Sequence, residues 1–238
     1  MRKWGVVISA FYALILFALF LPGYILLAQD EFHGWPGFLR DLKEGYASWQ
    51  LWILLGILLA CQALLLFLSV DTSQKRLRPR THILISVALS ALLTAILTTG
   101  IVWSLAFAIR GDKLFDFFDT FSKRLLGGRD DDYFGIFWTL VSWGGLWLFW
   151  GIVFYVYFRN RNEVISRAVS WVLKGSILEL LVAVPCHVIV RRRHDCSAPV
   201  VTSFGILTGI AIMLLSFGPS VLFLYKKRLD AYAQRSSP

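Results

Sequence analysis

The chain has 238 residues, of which 57% are apolar and only 16% charged, and its formal net charge is +9. Soluble domains are typically about half apolar and about a quarter charged, so this composition indicates a membrane protein and argues against a separate soluble domain. The positive charge does not indicate a nucleic-acid partner. The basic residues stand in short connections beside apolar runs, where they set topology and contact anionic lipid head groups.

Six apolar blocks are each long enough to cross a bilayer. A helix rises about 1.5 Å per residue, so about 20 apolar residues span a hydrocarbon core about 30 Å thick. The blocks are residues 4–28, 47–70, 83–109, 134–158, 168–190 and 200–224. Together they predict one all-α transmembrane domain over residues 1–238, a polytopic bundle of about six spanning helices.

The amino-terminal block follows Met1-Arg2-Lys3 but is too long for a signal-peptide core and has no Ala-x-Ala cleavage site after it. We therefore expect an uncleaved first span with a cytoplasmic amino terminus. Segments 29–46 and 110–133 mix charged residues with aromatic and apolar ones, a pattern typical of amphipathic helices in the head-group zone. Both are predicted to be interfacial segments on the outer face.

Spans two and three carry polar residues inside their apolar runs. Gln62 lies in the middle of span two, where an amide normally finds a partner on a neighbouring helix, a contact worth about 0.6–2 kcal/mol. In span three, Ser86, Ser90, Thr94 and Thr98 recur at four-residue spacing and so share one helix face. This row is interpreted either as a site of close helix packing or as the lining of a polar pathway.

Spans four and six carry packing signals. Trp143, Trp147 and Trp150 fall on one face of span four, where we expect bulky packing, with stacking on a flat cofactor as the alternative. Span four contains no histidine that could ligate a metal centre, and the sequence identifies no cofactor. Gly205 and Gly209 in span six have the Gly-x-x-x-Gly spacing that makes a groove for a partner helix.

Span five contains the only two charged side chains within the six apolar blocks, Lys174 and Glu179. At about 100° per residue, Glu179 and Cys186 share one helix face with His187 at its edge, whereas Lys174 points to nearly the opposite side. An acid in a membrane is costly and usually faces a bundle interior or a wet cavity. Glu179 is either structural, being protonated or bonded to Gln62 or to span-three hydroxyls, or it binds a proton or cation in a pathway.

Beyond Glu179, Pro185 is predicted to break the helix and to free backbone carbonyl groups beside Cys186 and His187. If the following loop is outside the cytoplasm, a Cys186–Cys196 disulfide is an alternative state of these thiols. The cysteine and histidine spacings match no zinc pattern, so no metal site is predicted.

The triplet Arg191, Arg192 and Arg193 follows span five on the outer side of a six-span topology, where basic residues should be scarce. Making block five a re-entrant hairpin gives no better distribution of Lys and Arg, so six spans are kept. The triplet is interpreted as a site for lipid phosphates, or for a phosphorylated lipid-linked substrate.

No catalytic constellation is present, which favours a non-enzymatic role. The first interpretation is a subunit, scaffold or assembly component of a membrane complex. We expect it in a bacterial inner membrane with both termini cytoplasmic, in contact with anionic lipids and other membrane subunits. The alternatives are a small proton- or cation-coupled transporter or channel using Glu179, and a membrane enzyme or binder that acts on lipid-phosphate head groups through Arg191–Arg193.

Overall fold

The computed structural model describes residues 2–28, 34–71, 79–111, 113–114, 133–158, 164–193 and 198–216, and every regular element within these ranges is helical. The helices are α1 (Arg2–Ala28), α2 (Gly34–Ala47), α3 (Trp49–Asp71), α4 (Pro79–Arg110), α5 (Tyr133–Phe158), α6 (Val164–Arg192) and α7 (Ala198–Ser216). The predicted all-α class is therefore confirmed.

Five of these helices, namely α1, α4, α5, α6 and α7, are long and apolar enough to cross a membrane. A sixth candidate is the pair Gly34–Ala47 and Leu51–Leu65, which meets at a bend of 67°. The part of the chain that the structure describes thus contains five candidate spans, or six if the bent pair is one span. The chain is a multi-pass helical membrane protein, as its composition predicts.

Helix α2 is the amphipathic helix predicted between the first two spans, and its last turn packs against α1. The Tyr46 hydroxyl donates to the Phe17 carbonyl at 2.5 Å, and the Trp52 indole N–H donates to the Tyr46 carbonyl at 2.8 Å. The rings of Phe17 and Tyr46 stack with centroids 4.7 Å apart. These contacts attach the junction between α2 and α3 to the side of α1.

Helices α4 and α7 form the centre of the bundle, and α5 lies at its edge. In α4 and α7 more than half of the spanning segment is buried, whereas α5 buries only 11% of its segment. Leu58 of α3, Leu97 of α4 and Ile212 of α7 belong to the largest buried cluster. Helix α5 attaches through a smaller cluster in which Phe154 and Phe158 pack against Val87, Ala91 and Ala168.

Helix α6 runs without interruption through Pro185. The predicted break is therefore wrong. Pro185 lies on an exposed face and removes one backbone donor, whose acceptor would be the carbonyl of the equally exposed Leu181. Membrane helices tolerate proline in this way when the rest of the hydrogen-bond ladder is intact. A continuous helix of 29 residues is also long enough for a full span, which disfavours the re-entrant hairpin.

Several predictions of the sequence concern residues outside the described ranges. They include most of the second interfacial segment, residues 115–132, the Cys196 end of the Cys186–Cys196 pair, and the part of span six beyond Ser216.

Candidate functional site

Glu179 lies in the core of the bundle, on the buried face of α6. Its side chain has 0% exposure, and Ser176, Ala183 and Cys186 on the same face are buried as well. Lys174 is exposed. The helical wheel therefore separated the two charges correctly, and the acid faces other helices instead of lipid.

Two glycines from two other helices, Gly100 and Gly209, lie against the carboxyl group of Glu179, and Gly205 packs against Gly100 beside them. We call Gly100, Gly205 and Gly209 the glycine cradle. A Cβ atom on Gly100 would collide with Glu179 Oε1, and one on Gly209 would lie 3.0 Å from Oε2. The same Gly100 Cβ would lie 3.3 Å from the Cα of Gly205, so the backbones of α4 and α7 are in close contact here. Gly205 and Gly209 lie where α7 meets the other two helices: a Cβ on Gly205 would lie 2.8 Å from Ser104 Oγ of α4, and one on Gly209 would lie 3.1 Å from Leu180 Cδ2 of α6.

Thr208, between the two glycines of α7, supplies the hydrogen bond to the acid. Its Oγ1 lies 3.3 Å from Glu179 Oε1, 2.8 Å from the Phe204 carbonyl oxygen and 3.1 Å from the Gly205 carbonyl oxygen. A hydroxyl group has one proton to donate and two lone pairs that accept. Thr208 can therefore donate to the carboxylate, or accept from the carboxylic acid while it donates to its own helix.

The other carboxyl oxygen, Glu179 Oε2, is buried and has no hydrogen-bond partner among the described residues. Within the same ranges, no cationic side chain is paired with Glu179. Buried polar atoms are nearly always satisfied by protein or by water, and a buried charge without a counter-charge is especially costly. An orphaned carboxyl oxygen in the core of a membrane protein therefore calls for a functional explanation.

Helices α6 and α7 are antiparallel, and three successive contacts define their register. Glu179 meets Thr208, and a Cβ on Gly205 would lie 3.6 Å from the Ala183 Cβ. Two turns beyond Glu179, His187 Nδ1 lies 2.8 Å from Thr202 Oγ1. The helix pair therefore carries a polar contact at each end of a close-packed glycine–alanine step.

Ser104 of α4 lies beside the middle step. A Cβ on Gly205 would lie 2.8 Å from Ser104 Oγ, and this oxygen is buried with no hydrogen-bond partner among the described residues. Gly100 and Ser104 are one turn apart, so the same face of α4 contacts both the acid and the middle step. Ser104 thus adds a polar atom between Glu179 and His187.

Gln62 is not the partner of Glu179. It is buried in α3 with both amide atoms unpartnered among the described residues. The span-three hydroxyl row is not the partner either, because Thr94 and Thr98 donate to the carbonyl oxygens of Ser90 and Thr94 on their own helix. The row faces α5 at Thr98, which accepts the Trp150 indole N–H at 3.0 Å, and this contact favours the packing interpretation.

Two arginines of the triplet bind the carboxyl ends of other helices. Arg191 donates to the Leu27 carbonyl at the end of α1 at 2.9 Å, and Arg193 donates to the Ala108 carbonyl at the end of α4 at 2.6 Å. The last carbonyl groups of a helix lack intrahelical donors and carry partial negative charge. We call this end of the bundle, where α1, α4 and α6 all finish, the arginine end. Arg192 is exposed and makes no contact of this kind with the described residues, so a lipid phosphate at the triplet stays a prediction.

Sequence reasoning placed Glu179, Cys186 and His187 on the right face but missed the residues that contact them. Thr208 is flanked by the two recognised glycines, and Gly100 is the single glycine of span three. Both positions are visible in the sequence as small or polar residues inside a span. Their pairing with Glu179 depends on the register between helices, which no local pattern encodes.

Comparisons of the chain with protein-family models, with curated proteins and with solved structures gave no match. The function proposed below is therefore derived from the geometry of the site.

Proposed function

We propose that this multi-pass membrane protein conducts or transports protons, with Glu179 as the group that binds and releases them. The observation that carries the proposal is the fully buried carboxyl group with one oxygen bonded to Thr208 and the other without a hydrogen-bond partner in the described ranges. An ionisable residue placed in a membrane core is costly, about 2.5–3.5 kcal/mol on insertion scales, and commonly marks a proton or ion pathway.

The Thr208 contact suits a site that changes its protonation state. When Glu179 is ionised, the Thr208 hydroxyl donates to Oε1. When Glu179 is protonated, its O–H donates to Thr208 Oγ1, and the Thr208 proton turns to the Phe204 carbonyl at 2.8 Å. Each state keeps its hydrogen bonds without moving a helix, because the hydroxyl is both donor and acceptor.

A proton fits this site better than a metal cation. No group of three or more His, Cys, Asp or Glu side chains converges anywhere in the described ranges. Hard cations require about six or more oxygen ligands, whereas only the Glu179 carboxyl and the Thr208 hydroxyl meet here. The glycine cradle brings backbone directly against the carboxyl group and leaves little room for further ligands.

Other polar groups line the contacts between the three central helices. They are buried at Ser104 of α4, at Ser176 and His187 of α6, and at Thr202 and Ser203 of α7. Hydroxyl and imidazole groups can pass protons by accepting one while releasing another. Their distribution along α6 and α7 supports a route for protons along this helix interface.

The experiment measures proton flux in liposomes that contain the purified protein and the pH-sensitive dye pyranine. A potassium gradient with valinomycin supplies the driving voltage. We expect the wild type to conduct protons, and Glu179→Gln to reduce the flux to the level of protein-free liposomes, because the amide keeps the shape but does not titrate. The control is Lys174→Gln, which changes the other charge of the apolar block 168–190 on the exposed face of α6 and should leave the flux unchanged.

A structural role for Glu179 predicts a different outcome. Glu179→Gln would then shift the thermal unfolding midpoint in detergent while the flux per folded protein stayed the same. Wild-type liposomes that conduct no better than protein-free ones would reject proton conduction altogether.

The outward face of α5 favours a second candidate, a subunit of a larger membrane complex. Leu148, Ile152 and Val156 are 66–70% exposed, and a Cβ added at Gly144 or Gly151 would touch nothing within 4 Å. If a partner helix packs there, replacing both glycines with isoleucine should reduce the size of the complex extracted in mild detergent. An unchanged size of the extracted complex would show that this face of α5 contacts lipid and not a partner helix.

We also infer a bacterial inner-membrane location with both termini in the cytoplasm. Support comes from the distribution of Lys and Arg among the connections, and from the arginine end, where two of the three unexpected outer arginines bind helix carbonyl groups.

A further inference from the structure

We propose that His187 is a second proton-binding group on the same route and exchanges protons between Glu179 and the arginine end. This inference rests on the proposed proton conduction through Glu179. It assigns a direction and a second titratable residue to that route, neither of which follows from the buried acid alone.

The position of His187 supports this proposal. His187 is only 7% exposed and lies on the buried face of α6 that also carries Glu179. Eight residues separate the two, a distance of about 12 Å along the helix axis. From His187 the helix continues for one more turn to Arg191, which binds the end of α1. His187 therefore stands between the buried acid and the end of the bundle.

Thr202 also supports the proposal, because its contact with His187 allows the tautomer with the proton on Nδ1. The Thr202 hydroxyl lies 3.2 Å from the carbonyl oxygens of both Ala198 and Pro199, so acceptors on its own helix can take its single proton. It then accepts the hydrogen bond from His187 Nδ1–H at 2.8 Å. In the neutral ring with a proton on Nδ1, the basic atom is Nε2. In this tautomer the Thr202 contact fixes the ring through Nδ1, and Nε2 is the atom that can bind a further proton.

The transfer is a simple exchange of protons. Nε2 takes a proton from a hydronium ion or a buffer acid at the arginine end and forms an N–H bond, which gives the imidazolium ion and leaves water or the buffer base behind. The imidazolium then releases that proton towards Glu179, which becomes the neutral acid. No electron moves, and the ring returns to its original tautomer.

The gap between the two groups is not purely apolar. A distance of about 12 Å exceeds the reach of one hydrogen bond, so the proton needs an intermediate carrier. Ser104 Oγ is buried at the level of Gly205, which faces Ala183 midway between the two polar contacts. Its hydroxyl can accept a proton from one side and release its own to the other, and the remaining steps of the route require water molecules between the helices.

The other ionisable groups at this end of the bundle are accounted for as follows. Among the described residues they are Cys186, Arg191 and Arg192 of α6, Arg193 directly after it, Arg110 of α4 with Lys113 beyond it, and Tyr24 of α1; within Ala198–Ser216, α7 has none. A pH response is therefore assigned to Glu179 or to His187 by its loss in the variant of that residue.

The test uses His187→Asn in the pyranine liposomes. The asparagine amide nitrogen can replace Nδ1 as donor to Thr202, so the fold is kept while the titratable ring is lost. We expect proton flux at least tenfold lower than in the wild type. Cys186→Ala, which changes the neighbouring buried side chain, is the matched control and should conduct normally. His187→Gln is the second variant if the asparagine protein does not fold.

Infrared difference spectra between acidic and neutral buffer separate the two proposals. The carboxylic acid C=O band of Glu179, identified by its loss in Glu179→Gln, should still develop in His187→Asn, but more slowly after a pH jump. If that band never changes with pH, the proposed function fails. If the band changes and His187→Asn shows wild-type rates and wild-type flux, proton conduction stands and the role of His187 is rejected.

Discussion

Gly100 brings the backbone of α4 into direct contact with the carboxyl group of Glu179. A methyl group at this position would occupy the place of Oε1 and would also press on the backbone of Gly205. Because the neighbours are backbone on one side and a fully buried acid on the other, neither can move aside easily. The acid and this glycine therefore constrain each other.

The first prediction concerns the glycine cradle. Gly100→Ala should lower the free energy of unfolding by about 1–3 kcal/mol, the usual cost of overpacking a core. Gly175→Ala is the control, because its new methyl group would meet only the flexible end of Leu97 at 3.2 Å. Thermal unfolding in detergent measures both. The Gly100→Ala penalty should shrink when Glu179→Ala is added, and equal penalties in both backgrounds would contradict the contact.

The second prediction concerns Thr208. Thr208→Val keeps the shape but removes the only side-chain hydrogen bond to Glu179 in the described ranges, with a cost of about 1 kcal/mol in the unfolding free energy. If the hydroxyl also serves both protonation states, proton flux should fall much more than stability does. Thr208→Ser retains the hydroxyl and should retain the flux. Normal flux in Thr208→Val would show that the Thr208 hydroxyl takes no part in proton transfer.

At the scale of single residues, the sequence predicted the face of Glu179 but not its partner. The helical period alone places Glu179, Cys186 and His187 together, because that geometry is local to one helix. The partner depends on which residue of α7 stands opposite, and this is decided by close packing at Ala183 and Gly205. Gln62 was an equally reasonable partner from composition, yet packing holds it elsewhere.

At the scale of the helices, the arginine triplet has a structural use that its sequence position concealed. The positive-inside rule does not predict basic residues at this position. Arg191 and Arg193 nevertheless supply hydrogen-bond donors to the unsatisfied carbonyl groups of α1 and α4. Three helices that finish at one end are thereby connected through short contacts. A topology rule based on charge counts does not include this kind of contact.

The third prediction tests these contacts. Arg193→Gln should lower the free energy of unfolding by about 1–2 kcal/mol, because the charged donor at the carboxyl end of α4 is lost. Arg192→Gln is the matched control, since the Arg192 side chain is exposed and makes no contact of this kind with a helix end in the described ranges. Chemical or thermal unfolding in detergent compares the two. Equal stability of both variants would show that the contact contributes nothing.

Helix positions were predictable to within a few residues, since the apolar length needed to cross a bilayer is a strong and local signal. The third block, 83–109, and the fifth, 168–190, lie within α4 and α6, which extend beyond them at both ends. The break at Pro185 was predicted from the behaviour of proline in general. It failed because a single missing donor on a lipid-exposed face is not enough to interrupt a long, otherwise intact helix.

For the molecule as a whole, the buried polar side chains of the described residues all belong to α4, α6 or α7, except Gln62 of α3. Glu179, Ser104 and His187 all belong to this central set. Such an arrangement places the titratable groups away from lipid and near the axis of the bundle. In the proposed route, the arginine end is where a proton from the surrounding water reaches His187.

The fourth prediction is which side of the membrane the arginine end faces. If both termini are cytoplasmic, α1, α4 and α6 all run outward and Arg192 is accessible from outside the cell. In a Cys196→Ser background, a membrane-impermeant maleimide should label Arg192→Cys in intact bacterial cells. Ser73→Cys, in the predicted cytoplasmic loop, should react only after the membrane is permeabilised. Cys61 and Cys186 are buried and should stay silent. The opposite labelling pattern would show that the arginine end faces the cytoplasm. A proton entering from outside the cell would then meet Glu179 before His187.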